Sequence, residues 1–217
     1  MRRIRAVLFD LDGTLVRYQG VDFESSWGAL GAAAGLKEEW DALLRKYLGR
    51  PEGYPDWVRE NAALLRGVPV SQVIPKLFPP PYPPGAPEAI RKLKGKGLVL
   101  GIVSSGVGLV AEWVKRDLGL DFAVANDLLV EDGRFTGGAI LKVDLWNKLE
   151  VVAEQAARYG IPLSQVAFVG DHLNDIPVLR AAGCGIAYAP KDRSVAEAAR
   201  FVTEDFRQIP RLIERTI

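Results

Sequence analysis

The chain has 217 residues, 48% hydrophobic and 25% charged, enough to close a core without cross-links. Its net charge of +1 gives no electrostatic footprint for nucleic acid, and the basic start Met1-Arg2-Arg3-Ile4-Arg5 reads as a short solvated terminus. The single cysteine, Cys184, excludes an intramolecular disulfide; it suits a reducing cytoplasm and reads as buried packing between Gly183 and Gly185.

The first apolar run, Ala6-Val7-Leu8-Phe9, predicts a buried strand of the parallel type followed by a loop. Asp10 and Asp12 cut it too early for a secretory signal. From Val21 to about Leu77 the pattern turns helical. Helices are expected over Phe23 to Ala34, with Asp22 as N-cap and Gly35 as stop, and over Lys37 to Leu48 and Asp56 to Arg66. Trp27, Trp40 and Trp57 fall one to each helix and read as local core, with a pocket wall as the alternative. The run Phe78-Pro79-Pro80-Pro81-Tyr82-Pro83-Pro84-Gly85 cannot continue a helix or a central strand and marks a stiff boundary.

Beyond it helices and strands alternate: helix from Glu88 to Lys96, strand from Leu98 to Val103, helix from Val107 to Leu118, strand from Phe122 to Ala125. Residues 97–114 are long and apolar, but Ser104-Ser105-Gly106 in their middle suits a strand, turn and helix better than a membrane span. Leu128 to Thr136 predicts a hairpin turning at Asp132-Gly133. Leu145 to Tyr159 is expected as a helix behind Asp144, Val166 to Val169 as a strand, Ile176 to Ala182 as a helix and Gly185 to Ala187 as a strand. Such alternation implies an α/β fold with a mainly parallel sheet covered on both faces, whose ligands bind beyond the carboxyl ends of the strands.

Polar clusters stand at those ends. Asp10 and Asp12, two apart on extended chain, project to the same side. Two adjacent carboxylates need a cation between them or a proton on one. Either arrangement suits phosphoryl transfer, with Asp10 as nucleophile beside a hard divalent cation and Asp12 as proton donor and acceptor. Gly13 permits the tight turn behind them. Ser104 ends a strand and opens a helix, so it is either a phosphate seat or an ordinary cap. Phosphoryl chemistry needs a fixed cation, for which Lys148 and Lys142 compete. Gly170-Asp171-His172-Leu173-Asn174-Asp175 offers a carboxylate for an oxygen-rich magnesium site, while Asn174 or Asp175 could serve only to cap the next helix. His172, the single histidine, is not needed by this scheme.

Asp10-Leu11-Asp12-Gly13-Thr14-Leu15, Ser104, Lys148 and Gly170 to Asp175 together resemble the four motifs of the haloacid dehalogenase superfamily of phosphatases. Leu118 to Gly137 and Ala181 to Ala187 are similar to its phosphoserine phosphatase branch. The resemblance implies a Rossmann-like core with helices on both faces, residues 1–16 and 83–217, and a small helical cap inserted at 17–82, with a proline-rich hinge at 78–87. It implies an aspartyl-phosphate on Asp10 and acid–base work by Asp12. Mg2+ would be held by the Asp10 carboxylate, the Asp12 main-chain carbonyl and Asp171. Ser104, Ser105, Lys148 and Asn174 would hold the phosphoryl group, with Asp175 in support.

The branch grips its amino acid with a glutamate after the first motif and an arginine in the cap; here Gln19 and Asn61 stand at those places, with Glu24 and Arg59 as charged neighbours able to restore the grip. The expected partner is a small phosphorylated metabolite for a monomer or homodimer, without nucleic acid or membrane. Phosphoserine phosphatase proper, a phosphomutase using the same site and a phospho-acceptor signalling domain are the alternative functions.

Overall fold

The computed structural model describes residues 3–216, so the Met1-Arg2 end of the basic start lies outside the described residues. Strand β1 (Ala6–Phe9) has no polar alternation, and all four of its side chains are buried. It therefore occupies the middle of a seven-stranded sheet of order β4-β3-β2-β1-β5-β6-β7. The other strands are β2 (Val99–Val107), β3 (Phe122–Glu131), β4 (Arg134–Ile140), β5 (Val166–Gly170), β6 (Cys184–Tyr188) and β7 (Phe201–Thr203). Among the described residues, β3–β4 is the one antiparallel pair of neighbouring strands in this sheet.

Alternate residues of β1 face two separate cores. Val7 and Phe9 join the larger one, with Leu100, Ile102, Val169 and Ile186. Ala6 and Leu8 join the smaller, against Val152 and Ala156 of α7 (Lys148–Arg158) and Val178 of α8 (Ile176–Ala181). In register, Phe9 stands beside Ile102 of β2 on one side and Val169 of β5 on the other. That alignment delivers Asp10, Ser104 and Asp171 to one edge of the sheet, which positions the site.

Between β1 and β2 the chain leaves the sheet for α1 (Ser26–Ala34), α2 (Lys37–Tyr47), α3 (Tyr54–Leu64) and α4 (Val70–Leu77). The first of these starts later than Asp22 predicts: Ser25 is the N-cap, its hydroxyl accepting from the Gly28 amide, and Phe23 and Glu24 before it have φ of 57° and 52°. Trp27, Trp40 and Trp57 all pack inward, and the Trp40 ring lies where a Cβ on Gly31 would stand. The β3–β4 hairpin belongs to the same neighbourhood, because the Gly67 amide donates to Phe135 and the Phe135 amide to Val68. Its turn at Asp132-Gly133 has positive φ at both residues, as the sequence predicts.

Other boundaries differ from expectation: α3 starts and ends two residues earlier, α7 begins at Lys148 instead of Leu145, and β3 continues to Glu131. β2 runs on through Val107, so α6 (Gly108–Leu118) begins four residues beyond Ser104. Ser104 is thus not at a helix N-terminus, and the amides near it belong to extended chain. At the C-terminus, α9 (Arg193–Ala198), β7 and α10 (Ile209–Glu214) complete the sheet and its cover, while α5 (Ala86–Lys94) lies where the sequence places a helix. No helix among the described residues is long and apolar enough to cross a membrane.

Candidate active site

Asp10 leaves β1 as a buried carboxylate whose Oδ1 accepts from the Leu11 amide at 2.8 Å and from Lys148 Nζ at 2.9 Å. Lys148, first residue of α7, is itself buried and also meets Asp175 Oδ1 at 2.5 Å. Burial pulls its pKa down, but the charges of Asp10 and Asp175 outweigh that and hold it raised. The competing Lys142 pairs with Asp127 at 2.5 Å, and both side chains are exposed.

The loop after β5 supplies the opposite wall. Asp175 Oδ2 accepts from the amides of Asp171 at 3.0 Å and His172 at 3.1 Å, so both oxygens of Asp175 are occupied. Asp171 accepts from Thr14 Oγ1 at 2.7 Å through Oδ1. Burial, then the charges of Asp10 and Asp175, push the Asp171 carboxyl well up. Ligand oxygens of Asp10, Asp171 and Asp175 lie within 4.8 Å of one another.

Among the described residues, Asp10 Oδ2 and Asp171 Oδ2 accept no hydrogen bond. Three buried carboxylates against one ammonium, with two free oxygens, form a donor set that fits a hard divalent cation, whose charge would oppose the rise that burial and the neighbouring carboxylates cause at Asp171. Gly13 is required here: its φ is +81°, and a Cβ would stand 2.1 Å from Asp171 Oδ2.

The Asp12 carboxylate faces away from that cluster. Its Oδ1 accepts from the Ser26 amide and its Oδ2 from the Ser26 hydroxyl, both at 2.8 Å. Burial pushes the Asp12 carboxyl up to about 7, with the Ser26 hydroxyl pulling it down and the Asp10 charge pushing it further up. A Cβ on Gly106 would meet Asp12 Oδ2 at 2.7 Å, so glycine lets the end of β2 approach.

Ser104 is buried, its Oγ accepting from the Gly106 amide at 3.0 Å. The Ser105 carbonyl accepts from Trp27 Nε1 at 3.0 Å, from Asn126 Nδ2 at 2.9 Å and from the Tyr54 hydroxyl. Its hydroxyl accepts from Asn174 Nδ2 at 3.3 Å. The structure thus brings Asp10, Asp12, Ser104, Ser105, Lys148, Asp171, Asn174 and Asp175 to one edge. His172 lies at the rim, its ring edge-on to Phe23 at 6.0 Å.

The candidates for substrate recognition scatter. Gln19 is exposed and donates to Glu24 at 3.3 Å, while Glu24 accepts from Lys191 at 3.1 Å. Arg59 is on the outer face, its side chain 69% exposed and paired with Asp56. Asn61 is fully buried, donating to the Trp57 carbonyl at 2.9 Å.

Sequence reasoning missed Ser26 and Asn126. Asn126 Oδ1 accepts from the Lys142 and Val143 amides, and Nδ2 donates to the Val143 and Ser105 carbonyls, tying the ends of β2 and β3 together. A polar residue among apolar ones in a strand is the signal that could have found it. Ser26 gives no such signal, since only the return of the helical insertion brings it to Asp12.

The model of the haloacid dehalogenase-like hydrolase family matches residues 7–180. The phosphoserine phosphatase of Methanocaldococcus jannaschii is 33% identical, the match covering 88% of each chain. That of Archaeoglobus fulgidus is 34% identical over 88% of this chain, which spans 54% of its length. A solved structure described as a phospho-aspartyl intermediate analogue of phosphoserine phosphatase superposes with a TM-score of 0.80 at 30% identity, covering 97% of this chain and 99% of that one. The chain therefore belongs to the haloacid dehalogenase-like hydrolases, as a phosphatase of the phosphoserine phosphatase-like branch.

Proposed function

We propose that this protein hydrolyses a small phosphomonoester through a phosphate ester of Asp10. The observation that carries the reading is the division of labour between two neighbouring carboxyls. Asp10 is held at Lys148, while Asp12 is turned onto Ser26 with its pKa pushed up to about 7. An Asp10 oxygen attacks phosphorus, the bond to the leaving oxygen breaks, and Asp12 gives that oxygen its proton. Water then attacks the same phosphorus, Asp12 takes its proton, and the Asp10 carboxylate and phosphate are regenerated.

Lys148, Ser104, Ser105 and Asn174 would donate to the phosphoryl oxygens, a reading supported by the bonds Lys148 to Asp175 and Asn174 to Ser105, with Asp175 positioning Lys148. Asp10 and Asp171, with the Asp12 main-chain carbonyl, would hold Mg2+. When bound, that ion supplies positive charge against the phosphoryl oxygens. We assign residues 17–82 as the cap, moving about the proline run at 78–87 to admit substrate and then exclude water. The lone buried thiol of Cys184 suits a reducing compartment, and we place the protein in the cytoplasm.

The test is phosphate release from phosphorylated small molecules, with and without Mg2+, by wild type and Asp10→Asn. Magnesium-dependent release that Asp10→Asn abolishes is the expected result. A sugar phosphate isomerised without release would instead make this a mutase, and a phospho-Asp10 lasting minutes would make it a signalling acceptor.

A further inference from the structure

Of residues 17–82, the buried polar or charged ones are Ser26 and Asn61, and neither ionises. Ser26 is engaged with Asp12. Asn61 uses its amide nitrogen on the Trp57 carbonyl, but its Oδ1 is buried without a partner. The indole nitrogens of Trp40 and Trp57 are buried and unpartnered as well. Each such atom calls for an explanation, because buried polar groups are almost always hydrogen-bonded.

The two indoles belong to one aromatic cluster, and Asn61 is tied to it through the Trp57 carbonyl. Trp27 lies 5.4 Å from Trp57 and 6.4 Å from Trp40 between ring centroids, and Tyr54 lies 5.6 Å from Trp57. Trp27 and Tyr54 both end on the Ser105 carbonyl, so the cluster stands directly against the candidate phosphate seat. At its foot Asn174 also keeps a buried, unpartnered Oδ1.

Resting on the phosphatase reading above, we infer that the leaving group is an uncharged polyhydroxy compound, a polyol or a sugar, and that Asn61 selects it. The unpartnered atoms are of both kinds, carbonyl acceptors and indole donors. A hydroxyl donates and accepts, so one functional group satisfies either. Indole rings supply apolar faces for the carbon skeleton between hydroxyls.

A serine leaving group would bring an ammonium and a carboxylate under the cap. Burying both without counter-charges is costly. The partly buried charges at the rim are already engaged: Arg17 donates to the Gly13 carbonyl at 3.0 Å and covers the Tyr188 ring, and Glu24 holds Lys191.

The experiment compares kcat/KM at saturating Mg2+ for glycerol phosphate, a hexose phosphate, phosphoserine, a nucleoside monophosphate and an aryl phosphate. Wild type is expected to prefer the glycerol or hexose ester over phosphoserine by about 100-fold or more, as a hydrogen-bonding pocket discriminates. Asn61→Leu should lose about 10-fold of that preference, mainly through KM. Asn61→Arg should shift the ratio toward phosphoserine.

Phosphoserine or the nucleotide as best substrate overturns the inference, as does an Asn61→Leu ratio equal to wild type. If that happens while wild type still hydrolyses the aryl phosphate and Asp10→Asn does not, the phosphatase reading stands alone. If wild type hydrolyses nothing, both fall. The wild-type panel decides these outcomes without any variant having to fold.

Discussion

Ser26, the first residue of α1, holds both carboxylate oxygens of Asp12, one through its amide and one through its hydroxyl. The same hydroxyl accepts from the Val107 amide at 3.0 Å, so one side chain joins the helical insertion, the Asp12 carboxyl and the end of β2. Both bonds lower the Asp12 pKa against the rise caused by burial. In Ser26→Ala the side-chain bond is lost, and the Asp12 pKa should climb above its wild-type value of about 7. The alkaline limb of the kcat/KM profile should move up by about one pH unit. At neutral pH kcat should fall about 5-fold, because less Asp12 is ionised to accept the proton from water.

The leaving group should decide whether that limb appears at all. Below about pH 7 Asp12 is protonated and can donate; above it the donor is lost. An alkyl phosphate needs the proton, so its kcat/KM should fall roughly 10-fold for each pH unit above 7. An aryl phosphate leaves unaided, and its kcat/KM should stay nearly level over the same range. Equal pH profiles for the two esters would remove Asp12 from the proton-transfer role.

Lys148 is the one buried ammonium facing Asp10 and Asp175 among the described residues. Lys148→Met strands two buried carboxylates and should cost about 3–5 kcal/mol in urea unfolding. Adding Asp175→Asn should restore part of that stability. Turnover should stay at background in both variants, since the phosphoryl group has lost its fixed cation.

Gly13→Ala tests the acidic cluster. The new methyl group would meet Asp171 Oδ2 at 2.1 Å, on backbone that already has φ of +81°. The left-handed conformation alone costs about 1–2 kcal/mol for alanine. The displaced carboxylate should raise the Mg2+ concentration needed for half-maximal activity by about 10-fold or more. A titration of activity against Mg2+, with circular dichroism to confirm folding, reads this out.

Asn126 supports the phosphate seat from behind. Asn126→Ala leaves the Ser105 and Val143 carbonyls and the Lys142 and Val143 amides without its side chain. Thermal unfolding should report a loss of about 2–4 kcal/mol. KM for every substrate should rise as Ser104 and Ser105 lose their support, whichever leaving group is used.

The sequence by itself determined the α/β architecture and most of the polar residues that meet at one edge of the sheet. Apolar runs ending in Asp10, Ser104 and Gly170-Asp171 can only be buried parallel strands, and parallel strands in register bring their ends together. Spacing alone predicts Asp10 and Asp12 on one side of the chain, but the Asp12 carboxylate turns away from Asp10 onto Ser26, which bonds both of its oxygens. The sequence misplaced the start of α1, because Asp22 is a good cap but Ser25 is the one that bonds. It also ended β2 too early, because polar Ser104 and Ser105 and then Gly106 look like a turn, although their backbone stays extended.

Spacing left Lys148 and Lys142 in competition and only the motif resemblance favoured Lys148; the tertiary structure puts Lys148 on Asp10 and Lys142 on Asp127, because burial depends on packing that neither lysine's neighbours in sequence predict. Likewise it set the environment of Asp12, since a pKa depends on desolvation and partners that Ser26 brings from 14 residues away. The uncharged interior of the helical insertion belongs to the same class of fact. Charged residues are plentiful in its sequence, and packing left none of them fully buried while keeping Asn61 inside.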